Sequence, residues 1–300
     1  MITFVTGDLF QSPMHALVNT VNTEGVMGKG IALAFRNIYP EMFREYRALC
    51  EAGTLRIGTL FVYRTPNKIV VNFPTKETWR KPSRPEYIEA GLSTFVRSYA
   101  EAGIRSVAFP PLGCGNGELD FESQVAPLMI QYLSDLPIPV HVFPPRVRSA
   151  EPEHRNPSDL AQWLRQRPRE MPIQEVWRDL LILSEEGHVF HTLERRKAFT
   201  IEPATGSNDL VAVTGDRGVP ILREEFAELW RQLRAQGLLP AHAQISEGTA
   251  YLYAALAELP YVATVRLAGD LQRFQQEPKL GLQLVPLDSL GRPLELALTT

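Results

Sequence analysis

Two cysteines in 300 residues, Cys50 and Cys114, exclude a disulfide framework and a cysteine-ligated zinc site. No apolar run approaches the roughly 18–20 residues that cross a bilayer. The start, Met1-Ile2-Thr3-Phe4, lacks the basic opening and long apolar stretch of a signal peptide. A reducing cytoplasm is therefore the expected setting. The six histidines show no ligand spacing: His188 and His191 lie three apart in a strand-like segment and so point to opposite faces. No metal and no cofactor is implied. What remains is 44% hydrophobic and 22% charged, too apolar for intrinsic disorder and too charged for a membrane protein. At roughly 100–200 residues per domain the length predicts two domains.

The net charge of −3 hides a gradient. Residues 1–145 carry 13 basic and 13 acidic side chains, residues 146–170 carry 6 and 4, and residues 171–300 carry 12 and 17. The acidic C-terminal part favours basic partners over direct contact with nucleic acid. Pattern follows the same division. Over residues 1–145 strand-like stretches (2–5, 16–21, 60–64, 68–73, 106–109, 140–143) alternate with helix-like ones (31–39, 40–51, 85–103 and one from about 120), the habit of an α/β layer fold. Six prolines and many arginines punctuate 144–172, and 146–172 reads as a linker with a short helical turn near 160–164. Beyond it, strands are expected at 189–193, 198–203 and 210–214. Helices are expected at 249–259 and at 221–237, where Leu222, Phe226, Leu229 and Leu233 share a face. Residues 173–300 thus form a smaller α+β domain.

Two glycine loops stand out. Val18-Asn19-Thr20-Val21-Asn22-Thr23-Glu24-Gly25-Val26-Met27-Gly28-Lys29-Gly30-Ile31 takes a strand through a glycine-rich turn into a helix. Glycines let backbone amides approach a ligand, and a helix N-terminus adds unpaired N–H groups, so phosphate is the natural guest. The spacing is not that of the Walker loop. A second loop, Gly113-Cys114-Gly115-Asn116-Gly117, also follows a strand. In parallel sheets such loops flank one crevice, and two of them point to a ligand with two phosphates.

Four segments in order resemble the ADP-ribose-binding macrodomain family: Gly7-Asp8-Leu9 after the first strand, Asn19 and Asn22, Met27-Gly28-Lys29-Gly30-Ile31-Ala32, and Leu112-Gly113-Cys114-Gly115. Asn72-Phe73-Pro74-Thr75-Lys76, Trp79-Arg80 and Ser83-Arg84 are similar to its DarG-type branch. The resemblance implies a three-layer α/β/α macrodomain with a mixed sheet over residues 1–145. It also implies removal of ADP-ribose from a DNA base, thymine in single-stranded DNA. Asp8 would accept from the adenine amino group beside the Leu9 amide. The backbone of Gly28–Ile31 and of Gly113–Gly117 would hold the diphosphate, with Asn19, Val26, Met27 and Leu112 also in the substrate site; Asn22 would face the distal ribose, and Lys76 would be catalytic. The C-terminal domain would bind a DarT-like DNA ADP-ribosyltransferase toxin.

Lys76 has two chemical readings. With its pKa lowered by burial or by the nearby cations Arg80, Lys81 and Arg84, it is a nucleophile able to form a Schiff base with the opened sugar. Left charged, it polarises the leaving base. The protein-directed relatives carry an aspartate where this chain has Asn116, so a lysine–aspartate mechanism does not transfer. The run Trp79-Arg80-Lys81-Pro82-Ser83-Arg84 is either a contact for DNA phosphates and an unpaired base or a solvated loop with Trp79 anchored in the core. Asp120 is placed to cap the helix that follows, and Cys114 to pack as a small apolar residue. Alternatives for the whole chain are a non-catalytic ADP-ribose reader, a hydrolase of ADP-ribosylated protein carboxylates, and a second domain with an unrelated activity.

Overall fold

A computed structural model describes residues 2–145, 151–194, 196–241, 247–267, 279–288 and 292–293. The chain divides into two compact units, residues 1–160 and 161–300.

The first unit is built on strands β1 (Ile2–Phe4), β2 (Ala16–Asn22), β3 (Phe61–Arg64), β4 (Ile69–Lys76), β5 (Val107–Phe109) and β6 (Val140–Val142). Their order is β1-β6-β5-β2-β4-β3, all neighbours parallel except the edge pair β3–β4, so the sheet is mixed. Parallel strands are covered on both faces and read as apolar runs; every residue of β4 is buried. Alternate side chains feed two cores. Val18, Val71 and Phe73 pack with Ile88, Leu92 and Phe95 of α3 (Pro85–Ser98) and with Met129 and Leu133 of α4 (Ala126–Leu133). Leu17, Val21 and Val70 pack on the other side with Phe35 of α1 (Gly30–Ile38) and with Met42, Phe43 and Tyr46 of α2 (Pro40–Glu51). The result is the three-layer α/β/α arrangement expected.

Two local features matter later. Between β2 and β4 the register runs in step to Val21↔Pro74 and then jumps to Asn22↔Lys76, so Thr75 is the extra residue of a bulge. Across from it, α3 comes so close to β4 that a Cβ on Gly91 would stand 2.1 Å from Cζ of Phe73. Alanine is the better helix former by about 1 kcal/mol, yet overpacking a core costs about 1–3 kcal/mol. Gly91→Ala is therefore expected to lower stability by a net ~1–2 kcal/mol in urea unfolding; a raised midpoint would mean the Phe73 ring yields freely.

Within the stretch 146–172, residues 157–165 form helix α5 (Pro157–Arg165), longer than the turn expected there; residues 146–150 and His242 lie outside the described residues. The second unit continues with α6 (Ile173–Glu185), strands β7 (Phe190–His191), β8 (Ala198–Pro203), β9 (Leu210–Thr214) and β10 (Arg217–Ile221), helix α7 (Arg223–Gln236), β11 (Leu238–Pro240), α8 (Glu247–Ala257), β12 (Val262–Leu267) and β13 (Lys279–Leu284). These make an antiparallel sheet β10-β9-β8-β7 and a three-stranded sheet β11-β13-β12, the α+β content expected. On α7, Phe226, Leu229 and Leu233 are buried, but Leu222 precedes the helix and is 43% exposed, so it does not belong to that apolar face. Among the described residues no helix is long and apolar enough to cross a membrane.

Candidate functional site

Parallel pairing puts the C-terminal ends of β5, β2 and β4 side by side on one edge of the sheet. Each strand there delivers one part of a cleft of about 360 Å³, a volume within the usual range for small-molecule sites. β2 leads through residues 23–29 into α1, β5 leads into the loop 113–117, and β4 ends on Lys76.

The first loop is shaped by Asn22. Its side-chain Nδ2 donates to the Val26 carbonyl (2.7 Å), while its Oδ1 accepts from the backbone N–H of Glu24 (3.0 Å) and of Val26 (3.3 Å) and from the Tyr46 hydroxyl (3.1 Å). This carboxamide lines the cleft, but its oxygen is committed to folding the turn. The turn delivers α1, whose N-cap Lys29 makes no side-chain cap and whose first turn holds no acid. The amides of the first helical turn have no intrahelical partners and attract an anion.

The second loop is braced from the segment before α3. The Ser83 N–H donates to the Gly117 carbonyl (2.9 Å), and Leu119 N–H to the Gly113 carbonyl (3.0 Å). The two loops meet: Gly30 has a left-handed φ of +61°, and a Cβ there would stand 3.2 Å from Asn116 Nδ2. Asn22, Val26, Gly28, Lys29, Gly30 and Ile31 of the first loop line the cleft together with Gly113, Cys114, Gly115, Asn116 and Gly117 of the second, and Lys76 lines it as well. Asp8, Leu9, Asn19, Met27 and Leu112 do not line it. Asn19 is wholly buried and donates to Asn72 Oδ1 at 2.9 Å. Met27 and Leu112 lie in the two cores. Asp8 accepts from Phe10 N–H at 3.0 Å and starts the turn Leu9–Gln11.

The basic run divides. Trp79 is fully buried, with the Arg80 guanidinium 4.0 Å over its ring, so the ring has no face to offer an unpaired base; it is the core anchor of the two readings. Lys81 and Arg84 are exposed and Arg80 half-buried. Asp120 caps the turn after the second loop through the Ser123 N–H (2.8 Å). Cys114 is buried, and burial pushes the Cys50 thiol up to about 12, which removes it as a nucleophile. Among the described residues no cluster of three or more His, Cys, Asp or Glu side chains is placed to hold a metal ion.

Lys76 is only 5% exposed, and its Nζ stands 3.2 Å from Oε1 of Glu153, also buried. Burial pushes the lysine below its ordinary value against the pull of Glu153 and Glu118. It pushes Glu153 up against the pull of Lys76, Lys29 and His154. Glu153 was not foreseen. It lies 77 residues from Lys76, in a stretch that reads as a linker, and its only signal is an acid among arginines between Pro152 and Pro157.

Residues 18–129 match the family model of the Macro domain. A Mycobacterium tuberculosis protein named DNA ADP-ribosyl glycohydrolase is 48% identical over 150 residues, which are 48% of this chain and 42% of that protein. A Thermosipho africanus protein named as a fusion of DNA ADP-ribosyl transferase and DNA ADP-ribosyl glycohydrolase is 35% identical over 163 residues, with the same two coverages. The solved macrodomain of Mycobacterium tuberculosis DarG is 48% identical, covering 49% of this chain and 99% of that one, with a TM-score of 0.47. The chain spans about two fifths of the length of the curated relatives it matches. Within the N-terminal unit, residues 18–129 are thus similar to the Macro domain family, and the relatives named DNA ADP-ribosyl glycohydrolase are similar to about half of the chain.

Proposed function

We propose that this protein is an antitoxin whose N-terminal unit removes ADP-ribose from an ADP-ribosylated DNA base, thymine in single-stranded DNA. Its C-terminal unit binds the cognate DNA ADP-ribosyltransferase. The observation that carries the reading is a buried amine, Lys76, lining the cleft that two amide-rich turns share. Amides of the two turns take the diphosphate, as helix ends and glycine nests do, and the terminal ribose then reaches Lys76. The adenine is assigned to the Asp8 carboxylate and the Leu9 amide, outside the lining of the cleft that takes the diphosphate and ribose. Low dielectric around the lysine strengthens whatever charge it presents and lowers the cost of its losing a proton.

The exposed Lys81 and Arg84 sit next to Ser83, which packs against Gly117, and they are assigned to the DNA backbone. Two phosphate contacts of this kind make binding salt-dependent. The acidic balance of residues 171–300 suits a partner that presents a basic, DNA-binding groove.

The test compares an oligonucleotide carrying ADP-ribosylated thymine with a protein ADP-ribosylated on carboxylates. Release of free ADP-ribose from the oligonucleotide alone is expected. Release from the protein alone overturns the DNA assignment, and tight ADP-ribose binding with no release from either makes the unit a reader. Co-purification with the product of the neighbouring gene tests the second unit.

A further inference from the structure

Hydrolysis at a sugar's anomeric carbon ordinarily draws on two ionisable groups, and Asn116 brings no carboxylate to this cleft. Glu153 does. Its Oε1 stands 3.2 Å from Lys76 Nζ inside the cleft, and the residues around it are tied to both glycine loops. Lys29 Nζ donates to the Glu151 carbonyl at 2.5 Å. His154 Nε2 and Arg155 Nη2 meet the two oxygens of Glu118 at 2.8 and 2.5 Å. Glu118 itself has φ +63°, a left-handed backbone that a non-glycine residue adopts at a cost and keeps only where its surroundings hold it. A carboxylate delivered by so many anchors is a built part of the site.

We propose that Glu153 is the proton partner of Lys76, taking the ammonium proton across their contact and returning it when turnover is complete. The Nζ–H bond breaks, an Oε1–H bond forms, and the ion pair becomes a neutral amine facing a neutral carboxylic acid, so no proton leaves the cleft. Burial favours this exchange, since it pushes the lysine down and the glutamate up. The other charges facing the pair are Lys29 and His154 near Glu153, and Glu118, itself paired with Arg155, near Lys76. Only the neutral amine carries the lone pair that nucleophilic catalysis needs. Glu153 therefore acts through Lys76, as a positioning residue. The inference deepens the proposed function and rests on it for its kinetic consequence alone.

The experiment follows acetylation of the Lys76 amine by acetic anhydride across pH, read by mass spectrometry, beside kcat and KM on the ADP-ribosylated oligonucleotide. In Glu153→Gln the attraction that keeps the proton on Lys76 is gone while burial stays. The labelling midpoint should then fall by about one pH unit or more, a tenfold change in acidity. The kcat should nevertheless drop on the order of 100-fold, because the cleft then holds no base to keep the proton and return it during turnover, with KM within about threefold. Glu153→Asp keeps the charge but draws it back by one methylene, and should recover part of the kcat. A Glu153→Gln protein with an unmoved midpoint, or with kcat within about threefold of the parent, overturns the proposal. If that variant does not fold, Glu153→Asp decides alone, since unchanged kcat and midpoint there are equally fatal. A parent protein that releases nothing from DNA defeats the proposed function, while the labelling midpoint still judges Glu153.

Discussion

Replacing Lys76 by alanine is expected to stop release of ADP-ribose from DNA, with kcat lowered on the order of 10³-fold. Affinity for free ADP-ribose should stay within about tenfold, roughly 1.4 kcal/mol. The split follows from where the groups sit. Binding is spread over the amides of two loops, whereas the amine at the end of β4 meets only the terminal sugar in the proposed pose. Single-turnover release and calorimetric titration with ADP-ribose separate the two. The same variant has a stability signature. Glu153, already raised by burial, loses its cation and rises further, so the folded chain holds a proton that the unfolded chain releases. Stability of Lys76→Ala relative to the parent should therefore fall as pH rises through that elevated value and be least affected below the ordinary carboxylate range. Full activity in Lys76→Ala would reject the lysine as the catalyst.

The second large effect is expected at Gly117. A Cβ on this residue would lie 2.2 Å from Ser83 Oγ and 2.3 Å from the Gly113 carbonyl oxygen. The hydroxyl can rotate; the backbone carbonyl cannot move without opening the loop. Gly117→Ala is expected to weaken ADP-ribose binding by about 100-fold or more, some 2.7 kcal/mol, because the amides that hold the diphosphate lose their common focus. Gly115 is the control, since a Cβ there meets nothing within 4 Å; Gly115→Ala should unfold at the parent's midpoint. Titration with ADP-ribose and thermal unfolding check both. Unaltered affinity in Gly117→Ala would show that the second turn does not hold the phosphates.

Much of this was legible in the chain itself. The strands 198–203 and 210–214 match β8 and β9 residue for residue, because β-branched residues and flanking turns fix them locally. The two glycine loops do line one cleft, as strand-end loops in a parallel sheet should. Helix α6 went unread, although Val176, Trp177 and Leu180 are buried along it, since it begins straight after the proline-rich stretch. Strand β10 was hidden by Gly218 and Pro220, residues that weaken a strand pattern. The site's losses have a different cause. Whether Trp79 faces in or out and which carboxylate reaches Lys76 are both decided by tertiary contacts. A contact between residues 76 and 153 leaves no local periodicity to detect.

The bulge at Thr75 has a consequence for how such a site survives change over generations. Side chains along β2 and β4 tolerate exchange among apolar types, but their pairing depends on residue count. Deleting Thr75 would pair the lysine with Asn22 in step and remove the local bend that the bulge gives the strand end carrying the amine. The reactive centre is thus buffered against substitution and exposed to a single lost codon. Lineages that keep the activity are expected to keep the spacing from Ile69 to Lys76 even where they change the letters in between.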